Sequence, residues 1–425
     1  MAPLRARQLA RAARARVKTA VGRPSQPAAP SSEEPDPFWR LVTDDSLWPS
    51  PFDFYEEMHR VGPIYRSRYD QVVAVGFEAV STLLKEERAH TVTDIDDATL
   101  LGVGTGSIIR KNPPRHGELR RLMGKGFGPR SITRLTGVIE NECDRLLDLA
   151  TEKGEFDAVG DYALPLAVRV IASILGMPPT YDDRLRRLGP AVSRLIDPWL
   201  TPEQWEITKA ASVEILDCFR ELIDERRRSP GDDLITTMLD ATETDVALTE
   251  KELLANCEFI LLAGFETTVG MLGSAINILV GRPDVWQLLQ DRPDLVPNTI
   301  EEVLRMESPV QMVQRVAMED IEIAGYPVAK GLRVIGIVGA ANRDPSTFAE
   351  PDVFDPMRDN ANRHLAFLVG PHHCLGSSLA RLEGQVALTK MMERMPEIRR
   401  KSDAVRRPHL VVRGLAQVPV EVVRS

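Results

Sequence analysis

The chain is poor in cysteine, and its four cysteines, Cys143, Cys218, Cys257 and Cys374, lie far apart with no C-x-x-C pair. At 425 residues it needs no disulfide staples to bury a core, so this usage excludes a disulfide scaffold and points to a reducing, cytoplasmic location. Aromatic residues are only 5% of the total, against 43% hydrophobic residues, with Leu, Ala and Arg frequent, which fits a mostly helical protein with a large core. No apolar run approaches the roughly 18 residues of a membrane span, and Phe259 to Phe265 is among the longest, so no transmembrane segment is expected. The net charge of −9 argues against nucleic-acid binding. There are no internal repeats.

Acidic residues are missing before Glu33, while Arg5, Arg7, Arg11, Arg14, Arg16, Lys18 and Arg23 precede it. This stretch lacks the apolar core of a secretory signal. Two readings stand: a disordered tail ending in the Pro/Ser/Glu-rich linker Pro24 to Pro37, or a surface helix making weak membrane contact through residues 1–23. Residues 1–37 are read as the tail and 38–425 as a single domain.

What is present is mostly helix. Trp48 to Val61 reads as the first ordered helix, stopped by Gly62-Pro63, and Ile64 to Val75 as a small hairpin. Thr91 to Asn112, with Gly102, Gly104 and Gly106, reads as a long loop that lines a pocket. Helices follow over Arg115 to Lys125, Ser131 to Thr151 and Tyr162 to Leu175, then a helical pair divided near Asp197-Pro198, then Glu203 to Arg228. Thr249-Glu250-Lys251-Glu252 is a capping box opening a helix of roughly 30 residues to about Val280, apolar on most faces and so expected at the centre of the molecule. Short strands are expected in Ile321 to Val338 and Leu410 to Val423.

Three features carry chemistry. Cys374 lies in Phe367-Leu368-Val369-Gly370-Pro371-His372-His373-Cys374-Leu375-Gly376, a glycine-spaced loop before a helical run from about Leu375 to Met395. The positive end of that helix and nearby amides should lower the thiol pKa and favour the metal-binding thiolate. The central helix contains Ala263-Gly264-Phe265-Glu266-Thr267-Thr268, an acid and two hydroxyls in an apolar span. They either back-bond within the helix or open a groove in which the acid relays protons. Glu302-Val303-Leu304-Arg305 places an acid and a base on one helical face.

Together these segments resemble the cytochrome P450 family. The loop resembles its haem-ligand signature F-G-x-G-x-H-x-C-x-G, with Leu368 in place of the first glycine. If that position is left-handed, leucine there costs about 1 to 2 kcal/mol. The resemblance covers about Pro51 to the C-terminus, including Ala341-Asn342-Arg343-Asp344-Pro345 and Phe354-Asp355-Pro356. It implies the mainly α fold with a small β part of that family, a triangular prism of helices with a long central helix over the haem. It implies haem b (iron-protoporphyrin IX) with Cys374 as axial iron ligand, and Thr267 and Glu266 as the alcohol and acid that assist protonation during dioxygen activation. His116 and Arg120, in an H-x-x-x-R after Asn112-Pro113-Pro114-Arg115, with Arg315 and His372, are implied as partners of the propionates; Asn112 replaces the usual Asp. Ala263, Gly264, Phe367, Gly370 and Gly376 are further cofactor contacts. Glu302 and Arg305 are implied as a structural pair completed by Arg358.

The implied activity is monooxygenation, hydroxylation or epoxidation, of an apolar small molecule. Pocket walls are expected at Thr91 to Arg110, Ile196 to Trp205, Phe259 to Thr267 and Val310 to Val313, with Ala263, Val310 and Met312 as candidate contacts. No flavin or nicotinamide domain is evident, so electrons are expected from a ferredoxin and its reductase, docked on Lys111, Arg121, Lys125 and Arg381. Alternatives are a haem-thiolate sensor or carrier, a peroxide-driven enzyme, or a zinc site using His372, His373 and Cys374.

Overall fold

The helix expected after Thr249 forms the axis of the molecule. The Thr249 hydroxyl accepts from the Glu252 amide (3.1 Å) and the Glu252 carboxylate accepts from the Thr249 amide (3.2 Å), closing the capping box. The helix then runs unbroken over Glu250–Val280. By length and apolarity it passes for a membrane span, but 78% of its most apolar window is buried by the rest of this chain. The computed structural model describes residues 36–68, 70–91, 106–196, 200–241 and 247–423. The basic tail, most of the loop from Thr91 to Asn112, and Asp197-Pro198 lie outside the described residues.

In chain order the helices are α1 (Pro37–Thr43), α2 (Phe52–Val61), α3 (Phe77–Lys85), α4 (Arg115–Gly124), α5 (Pro129–Lys153), α6 (Leu164–Ile174) and α7 (Asp182–Val192). Then come α8 (Pro202–Arg228), α9 (Leu234–Asp240), α10 (Glu250–Val280), α11 (Pro283–Asp291), α12 (Val296–Met306), α13 (Val338–Ala341) and α14 (Ser377–Arg394). The largest apolar core unites α4 to α12 and α14 around α10.

Strands β1 (Ile64–Arg66), β2 (Gln71–Ala74), β3 (Ala89–His90), β5 (Met312–Ala317) and β8 (Arg333–Ile337) form a sheet ordered β1-β2-β8-β5-β3. Only β2 and β8 in it pair in parallel. The other sheets join β4 (Glu155–Asp157), β12 (Pro419–Val422) and β9 (Ile398–Arg400), β6 (Ile321–Ile323) with β7 (Tyr326–Val328), and β10 (Val405–Arg406) with β11 (Leu415–Gln417).

The helix expected over Trp48 to Val61 begins only at Phe52, and an earlier helix, α1, precedes it. Pro49 and Pro51 explain the late start, because each disfavours helical backbone at the residue before it. Asp36 caps α1 by accepting from the Trp39 amide (3.3 Å), so α1 takes in Pro37, the last residue assigned to the tail.

Glu302 and Arg305 are both fully buried and joined in a fork, Nε to Oε2 at 2.7 Å and Nη2 to Oε1 at 2.9 Å. Arg305 also donates to the carbonyls of Asn342 and Pro351 (2.9 and 2.8 Å). Arg358 donates to Glu302 (3.0 Å) and to the carbonyls of Ala349, Glu350 and Val353. Every charge in the trio is therefore paired and hydrogen-bonded, the condition for tolerating ions in a core. The trio ties α12 to the irregular chain that leads into the Cys374 loop.

Candidate active site

The Cys374 loop is held by its own backbone. Cys374 N–H donates to Phe367 O (2.9 Å), His373 N–H to Gly370 O (3.0 Å) and Leu368 N–H to Leu365 O (2.8 Å). Gly370 has φ +75°, and a Cβ there would meet the Leu84 carbonyl oxygen at 2.4 Å, so only glycine lets the loop run against the end of α3. Leu368 is left-handed, φ 58°. Its side chain is half-buried in an apolar cluster with Phe77, Val80 and Leu84, which offsets part of that strain.

Cys374 precedes α14, as expected, yet its thiol pKa is raised. Burial is the largest influence and outweighs the Gly376 amide and the charges of Arg120 and Arg381, all of which pull it down. The expectation of a lowered value is corrected: in the protein alone, desolvation exceeds the helix-end effect. A metal ion bound at the sulfur would reverse the balance. Surrounding protein desolvates the thiol, yet the residue is exposed, so the sulfur can be reached from outside the packed core. Gly376 leaves that approach open, since a Cβ there would come no nearer than 3.7 Å to Phe127 and 4.0 Å to the Cys374 sulfur.

Four basic residues gather beside the loop. The His116 and His372 rings lie 4.0 Å apart. Burial lowers both imidazole pKa values, His372 to about 3, and Arg120 and Arg315 push them further down. Arg315 projects from β5, is buried, and is pushed down to about 10 by that burial. Its hydrogen bond goes to the carbonyl of its own neighbour Gln314 (2.9 Å). Among the described residues none of these four has an acidic partner. Such uncompensated donors fit a ligand bearing two carboxylates, which would supply the missing charge.

On α10 both threonines back-bond: Thr267 Oγ1 donates to Ala263 O (2.6 Å) and Thr268 Oγ1 to Gly264 O (2.8 Å). Ala263 and Thr267, one turn apart, are half-open, whereas Leu261, Leu262 and Phe265 are buried. Gly264 serves close helix contact, since a Cβ there would come within 2.4 Å of Ile171 on α6. Glu266 is buried and pairs with Arg407, while its Oε2 has no partner. Val310 and Met312 are half-buried at the entry to β5, the strand that carries Arg315. Phe367 is buried and opens the loop.

Several contributors were not foreseen. Asn256 accepts from the Ile108 amide (2.7 Å) and donates to Gly106 O (3.2 Å), pinning one end of the long loop to α10. At the other end Asn112 accepts from the Thr91 amide (3.0 Å) and donates to Thr91 O (3.4 Å), which an aspartate in its place would not do. A buried amide in an apolar helix was the available signal for Asn256; Arg407, in a run of exposed-looking arginines, offered none. Two of the four expected docking residues are already paired within the chain, Lys111 with Glu252 (3.3 Å) and Arg381 with Glu301 (2.7 Å), while Arg121 and Lys125 are exposed. Among the described residues no group of three His, Cys, Asp or Glu side chains converges to hold a metal ion, so His372, His373 and Cys374 do not form a zinc cage.

A helical prism built on one long helix, with a lone cysteine loop beneath it, defines the haem-thiolate enzymes as a class. The Cytochrome P450 family model matches residues 35–396, and the chain belongs to that family. It is 36% identical over 382 residues to the biotin biosynthesis cytochrome P450 of Bacillus subtilis (strain 168), covering 87% of this chain and 96% of the relative. Among crystal structures it is similar to P450BioI in complex with an acyl carrier protein ligated to hexadec-9Z-enoic acid, with a TM-score of 0.83, 34% identity, and coverage of 89% and 99% of the two chains. It is also similar to CYP109E1 from Bacillus megaterium in complex with testosterone, with a TM-score of 0.81, 29% identity, and coverage of 89% and 100%. The chain is thus a haem-thiolate monooxygenase that uses dioxygen and acts on small molecules.

Proposed function

We propose that Cys374 supplies the axial thiolate and that the substrate is an apolar small molecule, hydroxylated or epoxidised beside Ala263 and Thr267. The observation that carries this is the exposed thiol of Cys374, with His116, Arg120, Arg315 and His372, none of which has an acidic partner among the described residues, next to its loop. Haem held there would supply activation of dioxygen, and the Cys374 thiolate would hold its iron. The four basic side chains hold the two propionates. Gly370 keeps the loop slim where it passes the end of α3.

Thr267 holds a proton at its hydroxyl, which donates to Ala263 O (2.6 Å). Glu266, the adjacent residue, accepts a proton from water at its unpartnered oxygen and passes it toward Thr267. Val310 and Met312 with Ala263 contribute apolar pocket wall. Relatives seen with a fatty acyl carrier protein and with testosterone support a preference for apolar carbon skeletons. Electrons come from a ferredoxin and its reductase in the cytoplasm, with exposed Arg121 and Lys125 as the remaining basic docking contacts; a reduction rate insensitive to salt would count against charge-guided docking.

The test combines two variants. Cys374→Ala should lose the thiolate-type Soret band of the reduced carbon monoxide complex. Thr267→Ala should keep that band and divert reducing equivalents to peroxide. Unchanged coupling in Thr267→Ala would overturn the relay, and substrate oxidation by peroxide alone, with none by dioxygen and reductant, would favour the peroxide-driven alternative. Spin-state shifts across a compound library identify the substrate.

A further inference from the structure

Two consecutive acids on α12 hold two different networks. Glu302 serves the arginine trio described above; Glu301 faces the Cys374 loop. Its carboxylate accepts two parallel bonds from Arg381 on α14, Nε at 2.7 Å and Nη2 at 2.8 Å, and a third from His364 Nε2 at 3.1 Å. His364 Nδ1 accepts from the Ala366 amide (3.1 Å), which leaves Nε2 as the donor to Glu301. The Arg381 guanidinium lies over the Phe367 ring, 4.5 Å from its centroid, and the His364 ring is 5.7 Å from the same ring. Phe367 O in turn accepts the Cys374 amide (2.9 Å). Glu301 is buried, and its carboxyl is held down at about 2, with His364 and Arg381 overcoming the opposing pull of burial.

We infer that Glu301 and Arg381 are a positioning pair that braces the Cys374 loop through Phe367 and sets the net charge beneath the sulfur. The Glu301 carboxylate and the Arg381 guanidinium offset one another. Removing either member leaves one uncompensated charge against the loop, and the two signs are opposite. An added positive charge favours the reduced, more electron-rich centre, and an added negative charge disfavours it. The inference rests on the reading of Cys374 as axial ligand.

The experiment is a reduction-potential titration of the haem-loaded protein. Glu301→Gln should shift the midpoint upward, Arg381→Gln downward, and the double variant should return close to the starting value. Arg381→Lys, which keeps the charge and loses the fork, should stay near the unaltered midpoint. Shifts of one sign in both single variants, or no shift in either, would overturn the charge role and leave a bracing contact only. Should Glu301→Gln fail to fold, half-exposed Arg381 still decides, because an upward or absent shift in Arg381→Gln contradicts the inference. Failure of the ligand reading is separate: the unaltered protein would then lack the thiolate-type reduced carbon monoxide spectrum.

Discussion

Arg407, on the hairpin that follows β9, donates to the carboxylate of Glu266 in the middle of α10. Each is mostly buried, with 12% and 4% of the side chain exposed, so neither charge has water as a substitute partner. Arg407→Ala strands the carboxylate. It should destabilise the protein by about 3 to 5 kcal/mol. Arg407→Lys should retain most of the stability and the coupling of reductant to product. Denaturation midpoints and peroxide yield measure both effects, and equal behaviour of the two variants would show that charge at this position is irrelevant.

Leu368 carries left-handed backbone strain that its half-buried side chain only partly offsets. Leu368→Gly releases the strain with loss of the contact, while Leu368→Ala loses the contact and keeps the strain. The glycine variant should therefore exceed the alanine variant in stability by about 1 kcal/mol. Urea midpoints of the two proteins give the comparison directly.

Breaking the buried fork at Glu302 should do more than weaken the fold. Glu302→Gln removes the charge facing Arg305 and Arg358, at a cost of about 3 to 5 kcal/mol, and frees the chain leading into the ligand loop. Soluble yield and haem uptake should fall together. Normal haem incorporation in this variant would sever the link between the trio and the loop.

Glu383 lies buried on α14, its Oε1 without a partner, and burial pushes its pKa up to about 8. The folded state thus holds a proton that the unfolded chain releases near its ordinary value of about 4.3. Stability from this group is fully present below about pH 4 and is lost as pH rises toward about 8, at up to about 1.4 kcal/mol per unit. Glu383→Gln keeps the neutral shape and should flatten that decline. Unfolding midpoints at several pH values in this window test it; an unchanged slope would mean that Glu383 is not the titrating group. Glu258, pushed up to about 7 by burial against Ser212, adds a decline of the same sign that this variant leaves in place.

The long helices were legible because local signals agree with their burial. Thr249 and Glu252 announce α10, and Gly281 and Pro283 end it, so its bounds could be read from the chain. The short helix α9 was missed, having a single capping aspartate, Asp233, and little periodicity to set against it. Cys374, Glu302 and Arg305 were recognisable through the resemblance to the family's motifs, since an acid and a base three apart on a helix are by themselves an ordinary surface pair. Arg407, His364 and Glu301 were not, since each acquires its role only from partners brought in over long sequence separation. The raised pKa of Cys374 was missed for the same reason: neighbouring amides are visible in sequence, and desolvation by distant chain is not.

The two asparagines that grip Thr91 at one end and Gly106 and Ile108 at the other act as fixed posts for the chain between them. With both posts anchored to α10 and to the entry of α4, the closure entropy of that span depends only weakly on its length, about 0.6 kcal/mol for each doubling. Insertions and deletions between the posts would therefore leave helix α10 and the cysteine loop in register.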